Sequence, residues 1–191
     1  MEAVYKKYFI NFGQDSSHYV RMTDLMKILL SKYAANNPGL KLDYVQIEII
    51  SKAAYFCDIG KILIPTGTKE NEERYQSHTL LGADIMRMNN SKSCEYFVQI
   101  AADMCAHHHE RYDGNGFPNR IYGDSNLVYT QLCRLIDSFD DLFFRYREHS
   151  EMQFDFVAGD LAKDKGAVSP QVFSLLMECK PNIIMYYNTK V

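Results

Sequence analysis

The amino-acid sequence predicts an all-α fold, a single-domain helical bundle, from its apolar pattern and its lack of divisions. Apolar residues recur at intervals of three and four along several stretches, the spacing that places them on one face of a helix. No alternation with a period of two persists, and no repeat or low-complexity linker divides the chain. Because 47% of the 191 residues are hydrophobic, the chain can build a real core, and we expect one domain over 1–191.

The first helices have clear start and stop signals. One is predicted from about His18 to the Asn-Pro-Gly sequence at 37–39, which cannot continue a helix. The next begins near Asp43, whose carboxylate can form a capping box with Gln46, and we expect it to end at Gly60.

The remaining helices follow the same reasoning. An acidic segment at 70–73 suits the positive end of a third helix, which we expect to continue through Met86. A fourth is predicted over about 94–109, and a fifth over about 128–147. The glycine-rich stretch 113–118 between them must be a loop. The last helix should start near Pro170, and the pattern is weakest over 154–168.

Composition excludes several classes of protein. The chain has 21 basic and 24 acidic residues, a formal net charge of -3, which argues against a polymeric nucleic-acid binder. No apolar run approaches the ~18 residues of a membrane span, and no leader opens the sequence, so we expect a cytoplasmic protein. Its five cysteines are odd in number and lack paired short spacing, which favours reduced thiols.

Several histidines have the chemistry of metal ligands. His18 and His78 share helix faces with apolar residues and should point inward, although a lone inward histidine is more often a satisfied core residue than a ligand. His107, His108 and His109 are different. Adjacent histidines at a helix end before a glycine-rich loop are unsuited to a hydrophobic core and are well placed to bind a metal ion. There the sequence favours ligation.

The block from His107 to Pro118 strongly resembles the signature of the HD-GYP family, with Phe117 where tyrosine is usual. The segment 57–65 is similar to the family's His-Asp-Ile-Gly-Lys motif, with Cys57 in place of the histidine. Further likeness lies at His78 with Leu-Gly after it, at 134–140 and at 166–170, so the resemblance covers about 18–178. It implies a helical bundle of the HD-domain type that hydrolyses cyclic di-GMP at a bi- or trinuclear iron or manganese site.

The resemblance also assigns roles to individual residues. The metal ligands that it implies are His18, Asp58, His78, His108, His109 and Asp137, with Cys57 at a seventh position. The catalytic residues would be Asp58 and Lys61, with Lys61 near the scissile phosphate. Independently of the resemblance, Gly114 and Gly116 would let backbone amides approach a ligand closely, and we also expect Arg111 and Arg145 among the substrate-binding residues. We expect a divalent metal, two ions of iron, manganese or zinc, because imidazole and carboxylate suit these metals.

Departures from the family pattern qualify these expectations. Cys57 either contributes a thiolate or removes a ligand. Gln14 stands where members with a third metal often carry glutamate, so we expect at most two ions. The stretch between Lys61 and His78 is short and lacks a Lys-Pro-Gly segment, for which Lys69 is a partial substitute. Arg145 and a second arginine at 147 are explained equally well as a solvated helix face.

These observations leave alternative functions open. The first is a cyclic di-GMP phosphodiesterase, weakened or not by the change at Cys57. The second is a catalytically inactive HD-GYP-like module that binds a cyclic dinucleotide or another protein. The third is a phosphohydrolase acting on another nucleotide. A homodimer or a tethered sensor domain is compatible with each.

Overall fold

The described part of the chain is a bundle of helices, as the sequence predicts. The computed structural model describes residues 16–64, 72–88, 95–146 and 152–190, and within these ranges no β-strand forms. The α-helices are α1 (Ser16–Asn36), α2 (Tyr44–Ala54), α3 (Glu72–Gln76), α4 (His78–Met88), α5 (Glu95–His107), α6 (Val128–Arg145), α7 (Gln153–Lys163), α8 (Pro170–Glu178) and α9 (Lys180–Lys190). A 3₁₀ helix, Ile59–Leu63, lies between α2 and α3.

The predicted capping box of α2 and the predicted start of α8 at Pro170 are both confirmed. The carboxylate of Asp43 accepts from the backbone N–H of Gln46 at 2.8 Å, and the Gln46 side chain accepts from the backbone N–H of Asp43 at 3.0 Å. At α8 the hydroxyl of Ser169 accepts from the backbone N–H of Val172, and Pro170 occupies the first turn. These bonds satisfy N–H groups that have no partner within their helix.

The core lies between α1, α5 and α6. Helix α1 is packed against α2 and α6, and α4 is packed against α5. The largest fully buried side chains come mainly from α1 and α6, and include Met22, Leu25, Met26, Leu29, Leu132, Ile136 and Phe139. Their spacing of three and four confirms the amphipathic pattern that predicted these helices.

Two predicted helices are interrupted. The helix expected to reach Gly60 ends at Ala54, and the chain then tightens through a turn into the 3₁₀ helix. The helix expected to run unbroken to Met86 is divided at Ser77, whose hydroxyl donates to the carbonyl of Arg74 at 2.6 Å. In both cases the interruption redirects the chain next to a residue with ligand chemistry, Asp58 or His78.

The C-terminal part contains more helix than the pattern indicated. The weakly patterned segment forms α7, and the helix from Pro170 is divided at Cys179 into α8 and α9. None of the described helices is both long and apolar enough to cross a membrane. The residues Gln14, Lys69, Cys94 and Arg147, named from the sequence, lie outside the described residues.

Gly60 allows the 3₁₀ helix to touch α4. A Cβ atom at Gly60 would lie 2.0 Å from the carbonyl oxygen of His78 and 2.5 Å from the amide nitrogen of Gly82. Real Cβ atoms do not approach backbone so closely, so any side chain here would push the two elements apart. The contact therefore fixes Asp58 relative to His78.

We expect Gly60→Ala to lower the free energy of unfolding by at least ~2 kcal/mol, because overpacking against backbone cannot be relieved by a rotamer change. Gly159→Ala is the matched control. Gly159 lies exposed within α7, and nothing lies within 4 Å of the position that a Cβ atom would take, so alanine there should stabilise by ~0.5–1 kcal/mol. Urea unfolding measures both changes, and equal effects at the two glycines would contradict the assignment.

Candidate metal centre

Four side chains from three separate segments meet in the interior. Asp58 precedes the 3₁₀ helix, His78 opens α4, and His108 and His109 follow the end of α5. One ligand atom from each lies within 4.8 Å of the others. The sequence named all four as candidate ligands, and the structure brings them together.

The central atoms are nearly equidistant. Oδ1 of Asp58 lies 3.3 Å from Nε2 of His78 and 3.3 Å from Nε2 of His108. The two Nε2 atoms are 3.4 Å apart. Asp58, His78 and His108 are almost completely buried, so these atoms are out of contact with solvent.

Hydrogen bonds to the backbone fix the orientation of two imidazoles. Nδ1 of His78 lies 2.6 Å from the carbonyl oxygen of Tyr75. Nδ1 of His108 lies 3.0 Å from the carbonyl oxygens of Met104 and Cys105. Because a carbonyl only accepts, each Nδ1 carries a proton, and each ring directs its Nε2 toward Asp58.

This arrangement fits a divalent metal ion. Among the described residues, Oδ1 of Asp58 and Nε2 of His109 are buried without a hydrogen-bond partner, which is costly unless a cation compensates them. Ligands held tetrahedrally at ~2.0–2.1 Å from an ion lie about 3.3–3.4 Å from one another, which matches the triangle of Asp58, His78 and His108. Imidazole nitrogen and carboxylate oxygen suit zinc, iron or manganese.

His109 is held at the edge of this group as a neutral ring. Burial and then the neighbouring His108 keep the pKa of His109 well below its ordinary value. Its ring is stacked on Phe117, with centroids 4.7 Å apart and planes inclined by 22°. The phenylalanine that replaces the usual tyrosine therefore contributes an aromatic face to the site.

The loop after the histidines is folded back on them. A Cβ atom at Gly116 would lie 2.3 Å from the amide nitrogen of Arg111 and 2.6 Å from the carbonyl oxygen of His109. The buried Glu110 accepts from the backbone N–H groups of Asn119 at 2.6 Å and Ile121 at 3.0 Å. Gly116 thus has a packing role, and Glu110, to which the sequence gave no role, anchors the loop.

The second oxygen of Asp58 accepts from two donors. Nζ of Lys61 lies 2.5 Å from Oδ2, and the hydroxyl of Tyr19 donates to it at 3.2 Å. Burial alone would raise the pKa of Asp58, but the ammonium of Lys61 holds it well below its ordinary value. The carboxylate is therefore ionised. Tyr19 was not identified from the sequence, where it reads only as an aromatic residue on the inner face of α1.

Comparison with known proteins agrees with this geometry. Residues 16–142, which include all four clustered side chains, match the profile of the HD domain. The chain belongs to the HD domain family.

Curated relatives of this HD domain chain carry phosphodiesterase names. The 3'3'-cGAMP-specific phosphodiesterase 2 of Vibrio cholerae is 28% identical over 70% of the chain and 26% of the relative. The cyclic di-GMP phosphodiesterase response regulator RpfG of Xanthomonas campestris is 31% identical over 54% of the chain and 28% of the relative. A probable cyclic di-GMP phosphodiesterase of Vibrio cholerae is 25% identical over 90% of the chain and 42% of the relative. The chain thus spans less than half the length of each, and the resemblance to HD-GYP proteins is confirmed.

Two other predicted ligands of the HD domain, His18 and Asp137, lie together in a separate ion-pair network. Nε2 of His18 is 3.1 Å from Oδ1 of Asp137, and Nδ1 is 2.6 Å from Oδ2 of Asp140. Asp140 also accepts from Arg21 and Tyr187. Burial opposes protonation of His18, but the hydrogen bonds to both carboxylates raise its pKa to about 10.

Cys57 lies outside the group of four. Its thiol is completely buried, and the neighbouring Cys133 on α6, followed by burial, raises its pKa well above the ordinary value. Because the group of four forms without Cys57, the geometry agrees better with loss of a ligand at this position than with gain of a thiolate.

Three predicted substrate-binding residues have other surroundings. The guanidinium of Arg111 donates to Asp113 at 2.9 Å, to Asp164 at 2.8 Å and to a backbone carbonyl, so it ties the loop to the segment after α7. Gly114 has a φ of 74°, which its turn requires. Arg145 is exposed at the end of α6, about 12 Å along the helix from Asp137 at 1.5 Å per residue. These contacts give Arg111 and Gly114 structural roles.

We expect His108→Ala to abolish high-affinity metal binding, because it removes one corner of the ligand triangle. His107→Ala is the matched control, since the adjacent His107 has its Nε2 at 3.2 Å from the side-chain amide of Asn119, outside the cluster. Metal content after equilibrium dialysis against Mn²⁺ or Zn²⁺ is the measurement. Equal loss in both variants, or retention in His108→Ala, would show that the cluster does not hold the ion.

Replacement of Cys57 separates the two readings of that position. Cys57→Ala should keep the metal affinity within about twofold of the parent and cost ~1 kcal/mol of stability through lost packing. Metal titration and thermal unfolding of the same samples test both values. A loss of affinity of more than about tenfold would instead identify the thiol as a ligand.

Proposed function

We propose that the chain is a metal-dependent phosphodiesterase that hydrolyses a cyclic dinucleotide, cyclic di-GMP or a related molecule. The observation that carries the proposal is the convergence of Asp58, His78, His108 and His109 on one buried point. The printed names of the relatives, phosphodiesterases for cyclic di-GMP and 3'3'-cGAMP, support the class of substrate.

The residues of the cluster would hold the cation and keep its surroundings dry. When bound, a divalent ion lowers the pKa of water and neutralises negative charge on a phosphate. Lys61 is suited to contact a phosphate oxygen, since its side chain is 24% exposed and its ammonium lies beside Asp58. Asp58 in turn holds the pKa of Lys61 above its ordinary value, against the effect of burial, so the charge persists.

The ligand atoms of the site indicate which metal ions it would bind and how many. Nitrogen and oxygen ligands favour iron, manganese or zinc. The expectation of two ions from the sequence needs a second set of ligands near Asp58. His18 and Asp137 have the right chemistry, and Asp140 orients His18 as an outer carboxylate often orients a ligating imidazole. The cluster itself supports one ion.

A second candidate function is a cyclic dinucleotide-binding module without turnover. The observation that favours it is Cys57, which replaces an expected imidazole and lies outside the group of four. Such a module would bind the nucleotide through the cluster and Lys61 and release it unchanged. Hydrolysis of another nucleotide is the third reading, and a panel of substrates addresses it.

We expect the metal-loaded chain to hydrolyse a cyclic dinucleotide, and His109→Ala to lower kcat/KM at least ~100-fold, because the imidazole that completes the cluster is lost. His107→Ala should retain the parent's activity. Chromatographic product analysis with cyclic di-GMP, 3'3'-cGAMP and linear nucleotides is the measurement, and a chelator should abolish turnover. Binding without products from the metal-loaded protein would refute the enzyme and favour the module.

A further inference from the structure

The two oxygens of Asp58 have different surroundings. Oδ1 faces the imidazoles of His78 and His108 and lacks a hydrogen-bond donor among the described residues. Oδ2 accepts from both Lys61 and Tyr19. A carboxylate that bridges two ions through both of its oxygens must offer a lone pair on each, and here both lone pairs of Oδ2 point to protein donors.

The tyrosine that supplies one of these donors is fixed in place. Tyr19 is 4% exposed, and its ring packs edge-on against His18, with centroids 5.0 Å apart, and against Tyr55, at 6.1 Å. A phenol packed between two rings has little freedom to withdraw its hydroxyl. Tyr19 therefore restrains Asp58 more rigidly than the flexible side chain of Lys61 does.

The other groups that a second ion would need are also engaged. His18 is hydrogen-bonded through both ring nitrogens, to Asp137 and Asp140. Lys61, meanwhile, brings one positive charge to the side of Asp58 that a second cation would occupy.

We propose that Tyr19 is a positioning residue which, together with Lys61, holds Asp58 so that only Oδ1 ligates, and that the chain consequently binds one divalent ion. The inference deepens the proposed function and rests on the same cluster. It replaces the expectation of two ions with a site that holds one. The ammonium of Lys61 balances the charge at Oδ2 of Asp58, and the hydroxyl of Tyr19 donates a hydrogen bond to the same oxygen.

The count of bound ions tests this directly. The parent chain, dialysed against Mn²⁺, should bind one equivalent and give the six-line electron paramagnetic resonance spectrum of an isolated ion. Two equivalents with the spectrum of an exchange-coupled pair would overturn the proposal. This result is independent of any variant, so it decides the matter even where a substitution impairs folding.

The variant Tyr19→Phe tests the role of the hydroxyl. It keeps the ring and removes one donor to Asp58, and we expect the affinity for Mn²⁺ to fall about tenfold, the effect of losing an outer contact to a ligand. Tyr187→Phe is the control, because it removes an equivalent buried hydroxyl that donates to Asp140, outside the cluster. Its affinity should stay within about twofold of the parent. Equal affinities of Tyr19→Phe and the parent would contradict the positioning role.

Hydrolysis measured on the same samples keeps this inference separate from the proposed function. A parent chain that hydrolyses a cyclic dinucleotide while holding a coupled pair of ions contradicts the single-ion site and leaves the function intact. A parent chain that binds one ion, with weakened binding in Tyr19→Phe, and hydrolyses nothing contradicts the function and leaves the single-ion site intact.

Discussion

The burial of one carboxylate against a group of imidazoles is the constraint on which the rest of the structure depends. Asp58, His78 and His108 bring three ligand atoms within 3.4 Å of one another, out of contact with water. A buried acceptor without a partner costs ~1–3 kcal/mol, so a cation bound here would offset a considerable cost. The fold offsets part of this cost through hydrogen bonds. Backbone carbonyls accept from the two Nδ1 atoms, and Lys61 and Tyr19 donate to Oδ2 of Asp58.

Close backbone contacts hold the segments of the site together. Gly60 brings the 3₁₀ helix against the start of α4, and Gly116 brings the loop against the end of α5. Glu110 then fastens that loop from inside through two backbone N–H groups. These two glycines therefore act by allowing the segments that carry Asp58, His78, His108 and His109 to meet.

Local signals in the sequence were sufficient for most of the helices, and the resemblance to the family's motifs identified the four clustered residues. The capping box at Asp43 and the apolar faces of α1 and α6 depend on neighbours within one or two turns, and both were predicted. The early end of α2 and the break at Ser77 were not, because they depend on the contact of Gly60 with α4. Local periodicity carries no information about that contact.

The same distinction explains Arg111, which looks like a free cation beside a loop although its partner Asp164 lies far along the chain. Pairings of this kind are set by how helices cross, which a motif does not encode.

Electrostatic balance connects Cys57 to the contacts that the sequence did not reveal. An imidazole at that position would add a ligand near Asp58, whereas the buried thiol of Cys57 lies outside the group of four. Asp58 still needs compensation in the interior, and the ammonium of Lys61 and the hydroxyl of Tyr19 supply it at Oδ2. In the proposed single-ion site, Asp58 and Lys61 would cancel, and the positive charge of the divalent ion would remain to attract a phosphodiester. On that proposal, a chain that lacks the first histidine of its motif would keep a phosphate-binding centre, because the ligand and the second ion would be lost together.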